Sequence, residues 1–325
     1  MKPDFILHIG ANKTGSSAIQ TFIRDNLELF QNAGFAIPNS NLELKGTSSG
    51  QQVFAFQKYV VTGDTVGLTA VFDELKAQAG DATILCSAEN LSNPGREQAF
   101  TTIGSKYNVK VILYIRRQDD LISSSWQQWH SKRNADFNAW LVLALQSIGH
   151  WERTITAWEK VVGEENVTVR VFERDTFPDG NILLDFLDRV GIDHRTVEPS
   201  FPTGLVNPSF SDVITGLVAG NSSLFESRDD NEFYEMILEL TGSTYIEKQK
   251  YSLLSPDQRD SIVSFYAAQN ERIRQKYFPE RTSLFSPVDH KKYRYLSDEE
   301  VALEQRQIMM HLIFELWRQL REARK

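Results

Sequence analysis

Phe5-Ile-Leu-His-Ile-Gly-Ala-Asn-Lys-Thr-Gly-Ser-Ser-Ala-Ile-Gln20 is the stretch that decides the fold. An apolar run ends at Gly10, a short loop closes at Gly15, and Ser16-Ser17 open a segment of helical periodicity. A strand, a glycine-bounded loop and a helix start make an anion cradle, because backbone N–H groups and the helix N-terminus face one point. The loop departs from the nucleoside-triphosphate form G-x-x-x-x-G-K-[ST]. Gly10 and Gly15 keep that spacing, but Ser16 stands where the lysine belongs, and the lysine has moved forward to Lys13. A nucleotide with a different terminal group suits such a loop.

A second element follows the apolar run Val109–Ile115, which leads into Arg116-Arg-Gln-Asp-Asp-Leu-Ile-Ser-Ser-Ser125. Arg116 at a strand end offers a guanidinium fork to a dianionic phosphate, and Ser124, early in the next helix, offers a neutral donor.

Lys13-Thr-Gly-Ser-Ser17 resembles the 5′-phosphosulfate loop of sulfotransferases, and Arg116 with Ser124 resembles their 3′-phosphate motif. The resemblance implies a donor, 3′-phosphoadenosine 5′-phosphosulfate (PAPS), whose sulfuryl group passes by in-line displacement to an acceptor hydroxyl, leaving adenosine 3′,5′-bisphosphate. It implies that Asn12, Lys13, Thr14, Gly15, Ser16 and Ser17 hold the phosphosulfate, with Lys13 stabilising the leaving group, and that no metal is required. Asp120 falls where the family carries an aspartate, as a cap of that helix. Arg117-Gln118 replaces the family's usual Asn-Pro, which leaves open whether Arg117 shares the phosphate. Weaker likeness continues through Val167–Arg174, Asp185–Ile192, Val206–Ser209 and Leu254–Asp257, with Asn207 and Ser209 as further nucleotide contacts.

Transfer needs a base for the acceptor hydroxyl. Glu89 follows the strand Ala82–Cys86, at the carboxyl end where open α/β sheets bind ligands, and resembles the glutamate base of carbohydrate sulfotransferases. His130, beyond Trp126-Gln-Gln-Trp129, is the second candidate, and His8, inside the first strand, reads as a core histidine. Trp126 and Trp129 read as core packing or a stacking platform. Two alternatives remain beside sulfuryl transfer: a kinase-like P-loop phosphotransferase, and a non-catalytic nucleotide-binding module.

The 325 residues carry a net charge of −8, which argues against a nucleic-acid surface and requires positive charge to be concentrated locally. Lys13, Arg116 and Arg117 are the visible cations, with Lys132 and Arg133 as additions. The six histidines show no metal-ligand spacing, and Cys86 is the single cysteine. The absence of a leader or a ~20-residue apolar span points to a cytoplasmic protein without a membrane span. The acceptor expected is a carbohydrate, glycolipid or small hydroxylated molecule.

Strand and helix patterns alternate through the first half, so the fold expected is α/β: a P-loop-type three-layer arrangement with a mainly parallel sheet flanked by helices. Ile19, Phe22, Ile23, Leu27 and Phe30 predict a buried helical stripe, and residues 39–52 a loop or lid. Trp140–Leu145 reads as a buried helix. From about 211 the pattern is helical, clearest over 256–277 and 298–324, with a loop over 277–295. One domain over 1–325 is expected, its core at about 1–210 and a helical extension at about 211–325.

Overall fold

The computed structural model describes residues 2–202, 212–219, 221–242 and 250–324. Val206–Ser209, with Asn207 and Ser209, lies outside the described residues. The strands are β1 (Phe5–His8), β2 (Phe35–Ala36), β3 (Thr83–Ser87), β4 (Val109–Ile115), β5 (Val167–Val171), β6 (Lys250–Tyr251) and β7 (Tyr293–Arg294). The first helices are α1 (Ser16–Asp25), α2 (Leu27–Asn32), α3 (Val53–Thr62), α4 (Thr65–Ala79), α5 (Thr101–Lys106), α6 (Gln118–Ser125) and α7 (Phe137–Ser147). There follow α8 (Trp151–Val162), α9 (Ile182–Val190), α10 (Asp212–Val218), α11 (Glu232–Thr241), α12 (Pro256–Phe265), α13 (Ala267–Tyr277) and α14 (Asp298–Glu322). None is long and apolar enough to cross a membrane.

The chain forms two compact units, one of residues 1–117, 150–206 and 268–285, the other of 118–149, 207–267 and 286–325. The first holds a sheet of order β2-β3-β1-β4-β5, every pair parallel. Parallel strands need crossovers, and these lay helices on both faces. Each central strand is therefore nearly uniformly apolar. Ile6, Leu85, Ile112 and Tyr114 face α1, α2 and α9 through Ile19, Phe22, Phe30 and Phe186. Phe5 packs on Phe72 at 4.6 Å on the other face, where Phe72 meets Phe56 and Phe100, and Phe100 meets Trp158 of α8. The expected α/β fold, a mainly parallel sheet between helices, is the fold observed.

Two helical segments differ from the expected pattern. The stripe from Ile19 to Phe30 is split at Asn26, whose side-chain amide donates to the carbonyls of Phe22 and Ser200. Within 256–277, Tyr266 separates α12 from α13.

The second unit is helical, with a short parallel pair β6–β7. Its centre is a buried charge knot. Arg259 of α12, 2% exposed, donates from Nη1 to Asp119 at 2.6 Å and to Asp120 at 3.3 Å. The Tyr293 hydroxyl donates to Asp120 at 2.6 Å, and its ring lies 3.5 Å from the Arg259 guanidinium. Asp120 thus ties α6 to α12 and β7. Helix α7 buries Trp140, Leu141 and Ala144, while Val142 and Leu143 are exposed, so the expected buried helix is amphipathic instead.

Removing one partner of such a knot strands a charge in low dielectric. Arg259→Ala is expected to cost about 3–5 kcal/mol in urea unfolding, and Asp119→Ala in the same chain to recover part of that loss.

Candidate functional site

Strand order places the site. The chain moves from β1 out to β2 and β3 on one side, then to β4 and β5 on the other, so β1 sits at the switch point. In open parallel sheets the carboxyl ends beside that point form a crevice. Three neighbouring strands deliver the cradle loop after β1, Glu89 after β3 and Arg116 after β4.

The loop is braced from within. The buried Thr14 hydroxyl donates to the Ala11 carbonyl at 2.6 Å and accepts from the Ala11 N–H at 3.3 Å. The Ser16 hydroxyl donates to the same carbonyl at 3.1 Å. Both hydroxyls shape the loop, and Ser16 is the first residue of α1 rather than its cap. Gly15, in left-handed conformation at φ 82°, is the N-cap, with no side-chain bond to the helix. The first backbone bond back into the cap region is Ile19 N–H to Gly15 O, so the N–H groups of Ser16, Ser17 and Ala18 lack the usual intrahelical acceptors. The first turn carries no acidic residue. Asn12 and Ser17 are half-buried, and their side chains make no hydrogen bond among the described residues.

Lys13 adopts φ 65°, a left-handed conformation that a side-chain-bearing residue adopts at a cost on the order of 1 kcal/mol. The strain is held from across the sheet. Arg116 Nη1 donates to the Lys13 carbonyl at 2.9 Å. Arg116 itself is fixed: its guanidinium lies 5.8 Å from the Phe172 ring, and its carbonyl accepts the Trp151 indole N–H at 2.8 Å. A Cβ at Gly15 would stand 2.9 Å from Ile182 and 3.1 Å from Phe172, which forces glycine there on steric as well as conformational grounds.

Glu89 opens a single helical turn, Glu89–Ser92, and is half-buried. Its backbone closes on the cradle: a Cβ at Gly10 would lie 3.2 Å from Glu89 Cα and 2.5 Å from Ser16 Oγ. Two contacts invisible in the sequence hold this turn. The Gln52 side chain accepts from Ser87 N–H at 2.8 Å and donates to Pro38 O at 2.8 Å. The Trp158 indole donates to Leu91 O at 3.3 Å. Segment 39–52 is irregular, as expected. Its Asn39 side chain bonds Asn41, Glu43 and Lys45, so it is pinned internally.

His8 is fully buried, with Nδ1 2.8 Å from Ser87 Oγ and the ring edge-on to Tyr114 and Phe186. Burial depresses its pKa to about 3, so it is neutral, and Nε2 has no partner. It is a core histidine.

Ser124 and His130 belong to the second unit. Ser124 is buried in the last turn of α6. The next five residues, Trp126–His130, form a π-helical turn. The wider turn displaces Trp129 from the simple three-residue face shared with Trp126: Trp126 is buried and Trp129 half-buried. His130 packs on Trp140 at 4.7 Å, and burial lowers its pKa, with Arg228 adding to the effect. Lys132 is buried, its ammonium donating to the Arg228 and Asp230 carbonyls and to Asn231, and Arg133 donates to the Glu226 carbonyl. Lys132 is therefore consumed by its own unit rather than held ready for an anion.

Among the described residues, Asp188, Asp193 and His194 lie close enough to share an ion. His194 is already bonded to Asp188, and Arg195 spans both oxygens of Asp193.

No family model matches the chain. An uncharacterized protein of Archaeoglobus fulgidus is 25% identical over 204 residues, covering 61% of this chain and 51% of that protein, so the match spans about half its length. Among solved structures, a sulfotransferase from Alicyclobacillus acidocaldarius aligns at a TM-score of 0.40 and 16% identity, over 72% of this chain and 96% of that one. The mouse sulfotransferase SULT7A1 complexed with PAP aligns at 0.35 and 17%, over 75% and 87%.

Two expectations follow. Gly10→Ala places a methyl on Ser16 Oγ at φ 41° and is expected to lower stability by about 1–3 kcal/mol in guanidinium unfolding. Gly46→Ala, with open space around it, carries the conformational cost alone. For His8, the folded pKa lies below the unfolded one, so the unfolded chain binds the extra proton and stability falls as pH drops from about 6.5 towards 3. The slope approaches about 1.4 kcal/mol per pH unit, and His8→Gln should flatten it in urea titrations across that range.

Proposed function

We propose that the chain is a PAPS-dependent sulfotransferase, acting on a hydroxyl of a carbohydrate or similar acceptor. One observation supports this most directly: the Arg116 guanidinium donates to the Lys13 backbone carbonyl, which brings the two motif residues side by side. The donor set there suits a polyanion. It comprises an ammonium, a guanidinium, an uncapped helix N-terminus and no acid in the first helical turn.

The donor supplies an activated sulfuryl group with a phosphate as its leaving group. In this reading the N–H groups of Ser16 and Ser17, with the Ser17 hydroxyl, hold the 5′ end. Lys13 neutralises charge that develops on the bridging oxygen as the S–O bond breaks. Arg116 takes the 3′-phosphate, with Ser124 as a hydroxyl donor. Glu89 receives the proton of the attacking hydroxyl, with His130 as the competing base. Positioning and electrostatics carry such a displacement, and the loop is preorganised for both by its internal bonds.

Titration with adenosine 3′,5′-bisphosphate in the absence of magnesium tests the reading. Arg116→Ala and Lys13→Ala are each expected to weaken binding roughly 10–100-fold. Glu89→Gln should leave that affinity unchanged and lower transfer by about 10²–10⁴-fold. Binding of ATP with magnesium, and none of the bisphosphate, would overturn the proposal in favour of a P-loop phosphotransferase.

A further inference from the structure

Helix α14 is 25 residues long and anchors to its own unit through a narrow face. Ile308 and Leu312 are its buried residues, packed with Val213, Ile237 and Tyr251. The opposite face is apolar and open. Leu303, Met310, Ile313, Phe314, Trp317 and Leu320 are 50–64% exposed, and Met309 and Leu316 are 44% and 39% exposed. At roughly 200 Å² for a large side chain, the exposed part totals on the order of 800 Å², the per-partner area of a stable interface.

Charge identifies the occupant. Glu299, Leu303, Arg306, Met310, Ile313, Trp317, Leu320 and Arg324 follow one another at spacings of three and four, the seam of a coiled coil. The seam begins with Glu299, ends with Arg324 and is apolar between them except at Arg306, so it complements its own reverse. Set antiparallel against a copy of itself, Leu303 meets Leu320, Met310 meets Ile313, and Arg306 lies over Trp317. In the same register Glu299 faces Arg324. Neither the Glu299 nor the Arg324 side chain has a hydrogen bond or ion pair among the described residues. A two-fold dimer demands this self-complementarity. An anionic lipid surface fits less well, because the flank carries Glu304, Glu315 and Glu322 and the chain as a whole is at −8.

We infer that the exposed face of α14 pairs antiparallel with the same helix of a second copy of this chain. Light scattering and sedimentation at micromolar concentration should find a dimer. Ile313→Glu, at an exposed position, should give a monomer with an unchanged far-UV circular dichroism spectrum. Arg324→Glu and Glu299→Arg should each weaken dimerisation roughly tenfold, and the double reversal should restore it, because the pair is re-formed with signs exchanged. A monomeric wild type, a dimer indifferent to Ile313→Glu, or a monomer that cosediments with phosphatidylserine vesicles overturns the inference.

Discussion

Everything at the candidate site depends on β1 being hydrogen-bonded in parallel to β3 on one side and β4 on the other. Parallel pairing points all three strands the same way, so all three carboxyl ends emerge at one edge. Burial on both faces makes that arrangement costly to disturb. Phe5 and Leu7 lie under one helical layer and Ile6 under the other, each inaccessible or nearly so. The cradle after β1, Glu89 after β3 and Arg116 after β4 become neighbours by this constraint alone, although more than 100 residues separate the first from the last.

The cradle is held in a shape it would not choose in isolation. Gly10, Lys13 and Gly15 all have positive φ, and Lys13 has a side chain that disfavours it. Internal bonds from Thr14 and Ser16 to Ala11 set the loop, and the Arg116 bond to the Lys13 carbonyl anchors it to the neighbouring strand. Arg116 therefore acts twice in the proposed function. It braces the loop through one Nη, and it presents the rest of its fork to a phosphate.

Two polar sets in the second unit are buried and internally paired. The Arg259–Asp119–Asp120–Tyr293 knot and the Lys132 cage each spend a full charge on intramolecular bonds. Such groups specify which helices meet, because only one arrangement satisfies them.

The chain's apolar runs and their alternation with helical periods were enough to place the five parallel strands, since a buried parallel strand must be uniformly apolar. The loop was legible too, because Gly10 and Gly15 mark its two left-handed turns, although the strained Lys13 between them is held by the distant Arg116. Contacts distant in sequence were not: Gln52 at the end of β3, Phe172 beside Arg116, and the capture of Lys132 by residues 228–231 leave no periodic or compositional trace. A surface-looking lysine and a buried one have the same letter, as do the open Leu143 and the buried Leu141 of α7. The strands, the crossovers and the glycine frame of the cradle were readable from the letters, because those follow from local pattern and backbone conformation. Which charges are consumed within the chain, as Lys132 is, emerges only from the folded arrangement, because it depends on what folding brings alongside each one.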